Sequence, residues 1–411
     1  MMLLIQVIAI VLATIFRTHQ ANNVIYIPFS SSLVLPISKH ADAAKPLYST
    51  RSYFNNSVFN QQNLLIDLDA PFIWHNCVPH QDVTWHNCSL LTNRSMNSDY
   101  KDYELNPFNI VNPVTELCSQ DLVPTYNEQL LFNYSNQGRN VMIDLFSTYA
   151  TTACASPSTF DAFPSNIFGV LSLSSSLFAL QAQLHYPIEK ILGLCLPSTL
   201  SVPGVMFLGD GPYYPSPKFN IDLKRLLSYT PLLKQPNSFG YFISINSIVI
   251  KNRSMNLPAS TVAKISTLDP YTILRSDIYN GVVRRFFKVT KRIVTANPMA
   301  PFGLCFNTFA NNANDVGITV PVIDLVLEGG KKWSIYKANS IKQVTDDVAC
   351  LAFVDGGAKS EHAIVIGTYQ FEDNFLLFNL ENSTFGFSSL LLRKKGSCST
   401  SNFTLINTFI S

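Results

Sequence analysis

Leu64-Leu65-Ile66-Asp67-Leu68-Asp69-Ala70-Pro71-Phe72-Ile73-Trp74-His75-Asn76-Cys77 is the stretch from which the fold is read. Its apolar run ends on an aspartate and a proline-marked turn, the pattern of a buried strand that hands its last residue to a loop. Trp74 and Cys77 follow Asp67 by seven and ten residues. The second half of the chain repeats the theme in Ile265-Ser266-Thr267-Leu268-Asp269-Pro270-Tyr271, followed by Leu274 and Tyr279. A repeated theme in 411 residues, at about 150 residues per domain, points to two lobes.

Working outward, most of the chain alternates on a period of two or shows short apolar runs bounded by Asn, Ser, Pro and Gly. Strands are expected at 241–250, 320–327, 363–367 and 374–378, so the fold class is all-β with a few short helices. The clearest helix runs over 276–292, with Ser276 as its cap. Ile278, Val282, Phe286 and Val289 share one face, and Arg284, Arg285, Lys288 and Lys291 lie largely on the other. That basic side reads as a solvated helix face rather than a heparin or nucleic-acid site. A shorter helix is expected through Leu177, Leu180 and Leu184. Pro, Gly and Tyr thicken over 206–240, and Gly209-Asp210-Gly211 reads as a hairpin turn. The expected organisation is therefore a lobe over 22–205, a connection over 206–240 and a second lobe over 241–411.

Composition limits what the protein does. An apolar content of 47% excludes a disordered chain. Lys and Arg number 29 against 27 Asp and Glu, which excludes a general field for nucleic acid or an anionic membrane. Glycine is scarce, 17 residues or about 4% where about 7% is usual, although tight β turns favour it.

Residues 1–21 read as a secretory signal, with an apolar stretch over 2–16 and Ala21 as cleavage position. About fifteen apolar residues fall short of the roughly 20 a span needs, and no later segment is long enough, so no membrane span is expected. Seven glycosylation sequons, at Asn55, Asn87, Asn93, Asn133, Asn252, Asn382 and Asn402, agree with export. So does the even set Cys77, Cys88, Cys118, Cys154, Cys195, Cys305, Cys350 and Cys398, which suits four disulfides whose pairing spacing leaves open. The repeated tetrapeptides Trp74-His75-Asn76-Cys77 and Trp85-His86-Asn87-Cys88 tempt a zinc reading. Their spacing fits no common zinc knuckle, and an oxidising compartment pairs the thiols first, so no metal or other cofactor is expected.

The Asp67, Trp74 and Cys77 spacing resembles the first active-site turn of plant pepsin-like aspartic proteases. Further motifs occur in matching order: Phe207-Leu208-Gly209-Asp210-Gly211-Pro212-Tyr213, Val320-Pro321-Val322-Ile323-Asp324-Leu325, Phe353-Val354-Asp355-Gly356-Gly357, Ile364-Val365-Ile366-Gly367 and Gln370-Phe371-Glu372-Asp373-Asn374. Together they resemble the xylanase and xyloglucanase inhibitors, extracellular dermal glycoproteins and basic 7S globulins, over roughly 23–405. The resemblance implies a two-lobed pepsin-like fold. Counting thirteen back from Tyr279 puts Ser266 where the second catalytic aspartate of that plan stands.

The same resemblance implies that cleavage is lost. Aspartic proteolysis needs two carboxylates sharing a proton, and here Asp67 faces a position that holds Ser266. Asp69 and Leu268 occupy glycine positions of the two turns, and Gly169-Val170-Leu171-Ser172-Leu173-Ser174 has serines where the family has glycines. Asp69 and Asp269 lie two or three residues past the catalytic positions and are not expected to form a substitute pair.

What remains is recognition. In the inhibitor relatives a finger just before the last cysteine carries a histidine or an arginine into the target's carboxylates; here that stretch reads Arg393-Lys394-Lys395-Gly396-Ser397-Cys398. A second loop in such relatives carries a leucine or an arginine, and this chain offers Val316 there, with Asp315 at the arginine position. The expectation is a secreted inhibitor, in the apoplast or cell wall, of microbial glycoside hydrolases of families 11 or 12. The alternatives are a storage or wall-associated binding glycoprotein and a residual protease.

Overall fold

The structure, a computed structural model, describes residues 32–40, 46–54, 61–76, 86–87, 110–111, 117–119, 123–135, 143–155, 160–161, 163–164, 166–184, 188–214, 221–236, 238–259, 261–308, 318–389, 391 and 397–400. Two sheets dominate. In the larger, Gln61–Asp67 pairs in parallel with Ile167–Ser172, whose other edge takes Trp74–Asn76. In the smaller, Val262–Ile265 pairs in parallel with Ile364–Ile366, whose other edge takes Thr272–Leu274. Each half thus carries the same unit: a strand, a turn, and a later strand inserted between the strand and its own continuation. The repeat seen in the sequence is a repeat of topology.

The larger sheet draws on both ends of the chain. Phe375–Asn379 pairs with Ile191–Cys195, and Thr384–Phe387 extends that edge toward Ser228–Pro231. Rings from these late strands meet the smaller sheet. Trp333 lies 5.7 Å from Phe385 and 5.4 Å from Phe387, and Tyr241 lies 4.5 Å from Phe378, centroid to centroid. All of them are buried, within one cluster that also holds Leu64, Ile66, Ile243 and Ile265. Full burial of such a side chain stabilises by about 1.5–3 kcal/mol, so the aromatic seam joins the sheets strongly.

Polar groups fasten the same seam. Glu372 is buried, and its Oε1 accepts from Lys39 Nζ at 2.7 Å and from the Tyr48 hydroxyl at 2.6 Å. Burial pushes the Glu372 carboxyl up, against the pull of Lys39. Cys195 is bridged to Cys398 across 203 residues, and Cys305 to Cys350, which face each other on Cys305–Asn307 and Val348–Leu351. Cys77 and Cys88, and the side chains of Cys118 and Cys154, lie outside the described residues.

Two local expectations are corrected. The long helix spans Ser276–Val289, and Ser276 is its first residue rather than its cap. Its hydroxyl donates instead to Asp355 Oδ1 at 2.6 Å. Thr290 ends the helix: its hydroxyl turns back to the Phe286 carbonyl at 2.8 Å and competes with the next turn. Nor is Gly209-Asp210-Gly211 a hairpin turn. The next strand, Ser228–Pro231, pairs with Thr384–Phe387 and not with Gly204–Gly209, because Tyr213 leaves the sheet to pack on Phe207. The expected short helix covers only Leu180–Gln183: Leu184 is its C-cap, and Leu177 lies exposed in the turn before it.

The Cys195–Cys398 bond closes a loop of 203 residues, about half the chain, so its loss is felt in the unfolded state. Replacing both residues by Ser is expected to lower the unfolding free energy by about 3–5 kcal/mol. Denaturant titration measures this, and an unchanged midpoint would contradict it.

Candidate functional site

The two repeated units bring their turns together. Asp67 ends Gln61–Asp67 and is buried; Ser266 and Thr267, just past Val262–Ile265, are buried as well. The Thr267 hydroxyl donates to the Ile66 carbonyl at 2.9 Å and accepts from the Leu68 amide at 3.3 Å. One side chain of the second half therefore holds both flanks of Asp67. No reciprocal bond exists from the first half, because Leu68, at the matching position, is apolar and fully buried.

Within each turn the local hydrogen bonding is parallel. Asp67 Oδ1 accepts from the Asp69 amide at 2.8 Å. Ser266 Oγ accepts from the amides of Leu268 and Asp269 at 3.2 and 3.1 Å. Serine thus keeps the acceptor role of an aspartate in this turn and lacks the carboxyl proton.

Asp69 is turned away from Asp67. Its carboxylate pairs with Lys264, of Val262–Ile265, and accepts from the Ser238 hydroxyl at 3.0 Å. Gly240 passes so close that a side chain there would meet Asp69 Oδ1 at 2.9 Å. Burial pulls the Lys264 ammonium down, but Asp69, then Asp67 and Asp269, outweigh it and hold it above its usual value. Burial, then the charge of Asp69, pushes the Asp67 carboxyl up from 3.8 to about 6, against the Asp69 amide and Lys264.

The lost glycines have identifiable replacements. Ser172 and Ser174 both donate to the Ala70 carbonyl, at 2.6 and 2.7 Å. They anchor the far side of the turn that follows Asp67. Glycine is kept where backbone crowds: a side chain on Gly169 would strike Leu64 and the Trp74 carbonyl at 2.6 Å, and Gly367 lies equally close against Tyr271.

The expected recognition residues Arg393, Lys394, Lys395 and Val316 lie outside the described residues, but their stems do not. Leu391, before the basic segment, donates its amide to the Asp373 carbonyl at 2.9 Å. After it, the Ser397 hydroxyl and Cys398 amide both donate to Asp373 Oδ1, at 2.7 and 2.9 Å. Both ends of 392–396 are thus fixed to one residue. The neighbouring Glu372 lines a cavity of about 540 Å³ together with Thr308 and Ile318, the residues that bracket 309–317. The second stem thus borders a pocket shared with the neighbour of the residue that holds the first.

Sequence reading had quoted the Glu372-Asp373 turn without giving it a role. The one sequence signal was the polar run Glu372-Asp373-Asn374 before a buried strand; in the structure Asp373 takes a positive φ of 51°, which Asp tolerates better than most residues. Lys264 and Ser238 were missed because nothing local marks them. Of the sequons, Asn252 and Asn382 are exposed in turns. Asn55, Asn93 and Asn402, and the side chains of Asn87 and Asn133, lie outside the described residues.

Fold and cleft together define a pepsin-like protein whose two facing turns present one carboxylate and one hydroxyl. Residues 240–389 match the family described as xylanase inhibitor, C-terminal. The chain is 32% identical to chitinase CLP of Oryza sativa subsp. japonica, over 91% of this chain and 92% of that one. It is 36% identical to gamma conglutin 1 of Prunus dulcis, over 71% of this chain and 68% of the relative. The crystal structure of edgp superposes with a TM-score of 0.74 at 27% identity, covering 90% of this chain and 97% of the other. The protein belongs to the family of xylanase-inhibitor-type proteins that includes the gamma conglutins and basic 7S globulins.

The raised Asp67 carboxyl makes a signed prediction. A carboxyl raised in the fold favours folding when protonated, so its contribution is complete below 3.8 and is lost as pH rises through about 6. Asp67→Asn keeps the acceptor for the Asp69 amide and removes the charge. It is expected to be more stable than the parent at neutral pH, by on the order of 3 kcal/mol, and equal to it below 3.8. Thermal melts across pH read the difference, and a variant less stable at neutral pH would contradict it.

Proposed function

We propose that the protein is a catalytically inactive, secreted inhibitor of microbial glycoside hydrolases that attack plant cell walls, of the xylanase or xyloglucan endoglucanase kind in families 11 or 12. The observation that carries this reading is the fixing of both ends of 392–396 to Asp373, beside a pocket lined by Glu372 and by Thr308 and Ile318, which bracket 309–317. A glycosidase cleft holds two carboxylates, and charge-assisted pairs from Arg393, Lys394 or Lys395 are the chemistry that occupies them. Fixing both ends of the segment, beside the Cys195–Cys398 bond, lowers the entropy lost when it docks. Val316 supplies an apolar contact from the second loop. Asp315 beside it opposes an acidic cleft, which argues for a target that meets this loop away from its carboxylates.

The facing turns support the inactive reading. Aspartic proteolysis shares one proton between two carboxyls, and Ser266 offers a hydroxyl that does not titrate in the working range. The partner that would complete the pair is absent, and Asp69 is engaged by Lys264 and Ser238. Secretion is supported by the apolar leader over 1–21, the sequons and the disulfides.

The test is titration of the purified protein against microbial endoxylanases, xyloglucan endoglucanases and a chitin substrate. Inhibition of at least one hydrolase is expected, weakened about tenfold or more by Arg393→Ala or Lys394→Ala, the loss of a charge-assisted pair. No inhibition across the panel would favour a storage or wall-binding role like that of the basic 7S globulins. Hydrolysis of chitin by the protein itself, the activity in the rice relative's name, would overturn the inactive reading.

A further inference from the structure

Charge is segregated in this chain. Between residues 250 and 296 nine lysines and arginines stand against two aspartates, in a chain whose totals are 29 and 27. Everything outside that stretch is therefore net acidic. The fold concentrates the cations further. Helix Ser276–Val289 buries Ile278, Tyr279, Val282 and Phe286, and it exposes Arg284, Phe287 and Lys288, with exposed Lys291 and Arg292 just beyond its end.

A second element joins this face. The hairpin of Tyr241–Ile250 and Arg253–Asn256 exposes Lys251 and Arg253 at its turn. It packs on the helix, where Met255 sulfur lies against Gly281 and leaves no room for a side chain, and Arg285 donates to the Ile250 carbonyl at 3.4 Å. Among the described residues, no carboxylate lies within ion-pair distance of any cation on the helix face or the hairpin turn. Asp277, the helix's own acid, is held by Arg275 at 2.8 Å. Like charges at Arg284 and Lys288, four apart, repel. A ligand that brings negative charge relieves that repulsion.

We propose that this face binds an acidic polysaccharide, a chain carrying one carboxylate per sugar. Arg284 and Lys288 lie about 6 Å apart along the helix axis, and Lys291 and Arg292 follow just past its end; cations spread along the chain in this way suit a linear polyanion better than a compact ion. Phe287, exposed among them, gives an apolar plane on which a sugar ring can lie. None of these residues belongs to 392–396 or 309–317, so polysaccharide binding and hydrolase inhibition are separable by mutation.

The experiment is calorimetric titration of the full chain with polygalacturonate at two salt concentrations, after enzymatic deglycosylation so that Asn252 in the hairpin turn carries no sugar. The parent is expected to bind, more weakly at higher salt. The triple variant Arg284→Gln, Lys288→Gln, Lys291→Gln is expected to lose about tenfold or more in affinity with its melting temperature maintained. A control that removes three exposed cations elsewhere, Lys234→Gln, Lys331→Gln, Lys359→Gln, is expected to bind like the parent. Four results would each overturn the proposal: no binding by the parent, equal loss in the control, equal binding of fully methyl-esterified pectin, or tighter binding at the same salt to phosphatidylserine vesicles or RNA.

Discussion

The Thr267 hydroxyl is the constraint on which the cleft depends. It bonds to a carbonyl and an amide on either side of Asp67, across 201 and 199 residues of chain. Because a hydroxyl donates once and accepts once here, a single buried side chain fixes where the two halves meet. The opposite half gives nothing equivalent, since Leu68 is buried among apolar residues. The asymmetry is affordable because other contacts share the seam: the Trp333 and Tyr241 rings, the Glu372 carboxylate, and the ion pair of Asp69 with Lys264. Within the second turn the Ser266 hydroxyl is enough to accept from the Leu268 and Asp269 amides.

Much of the cleft was legible in the sequence. Apolar patterning located the strand that ends at Asp67, and the resemblance to pepsin-like proteases, counted back from Tyr279, put Ser266 in the matching turn. Loss of glycine at 172 and 174 was equally visible. What those serines do was not: both reach the Ala70 carbonyl, more than a hundred residues earlier. The Asp69–Lys264 pair spans 195 residues, and no local pattern assigns a partner at that distance. Ser276 misled for a related reason, since a serine before an apolar helix serves either as cap or as donor, and Asp355, 79 residues on, decided between them.

The proposed recognition segments are rooted at the edge of the fold rather than at its centre. The Glu372-Asp373 turn is where the late strands cross to the first half, so it is among the better supported places in the molecule. The basic helix face is a second case of the same economy. A helix whose inner side completes the core leaves its outer side to carry charge without cost to packing.

Cleavage of a denatured protein substrate by the purified chain at acidic pH, with and without pepstatin, tests the loss of chemistry most directly. A protein with one carboxyl facing Ser266 is expected to show no cleavage that pepstatin blocks. Cleavage that pepstatin blocks, and that Asp67→Ala abolishes, would contradict it.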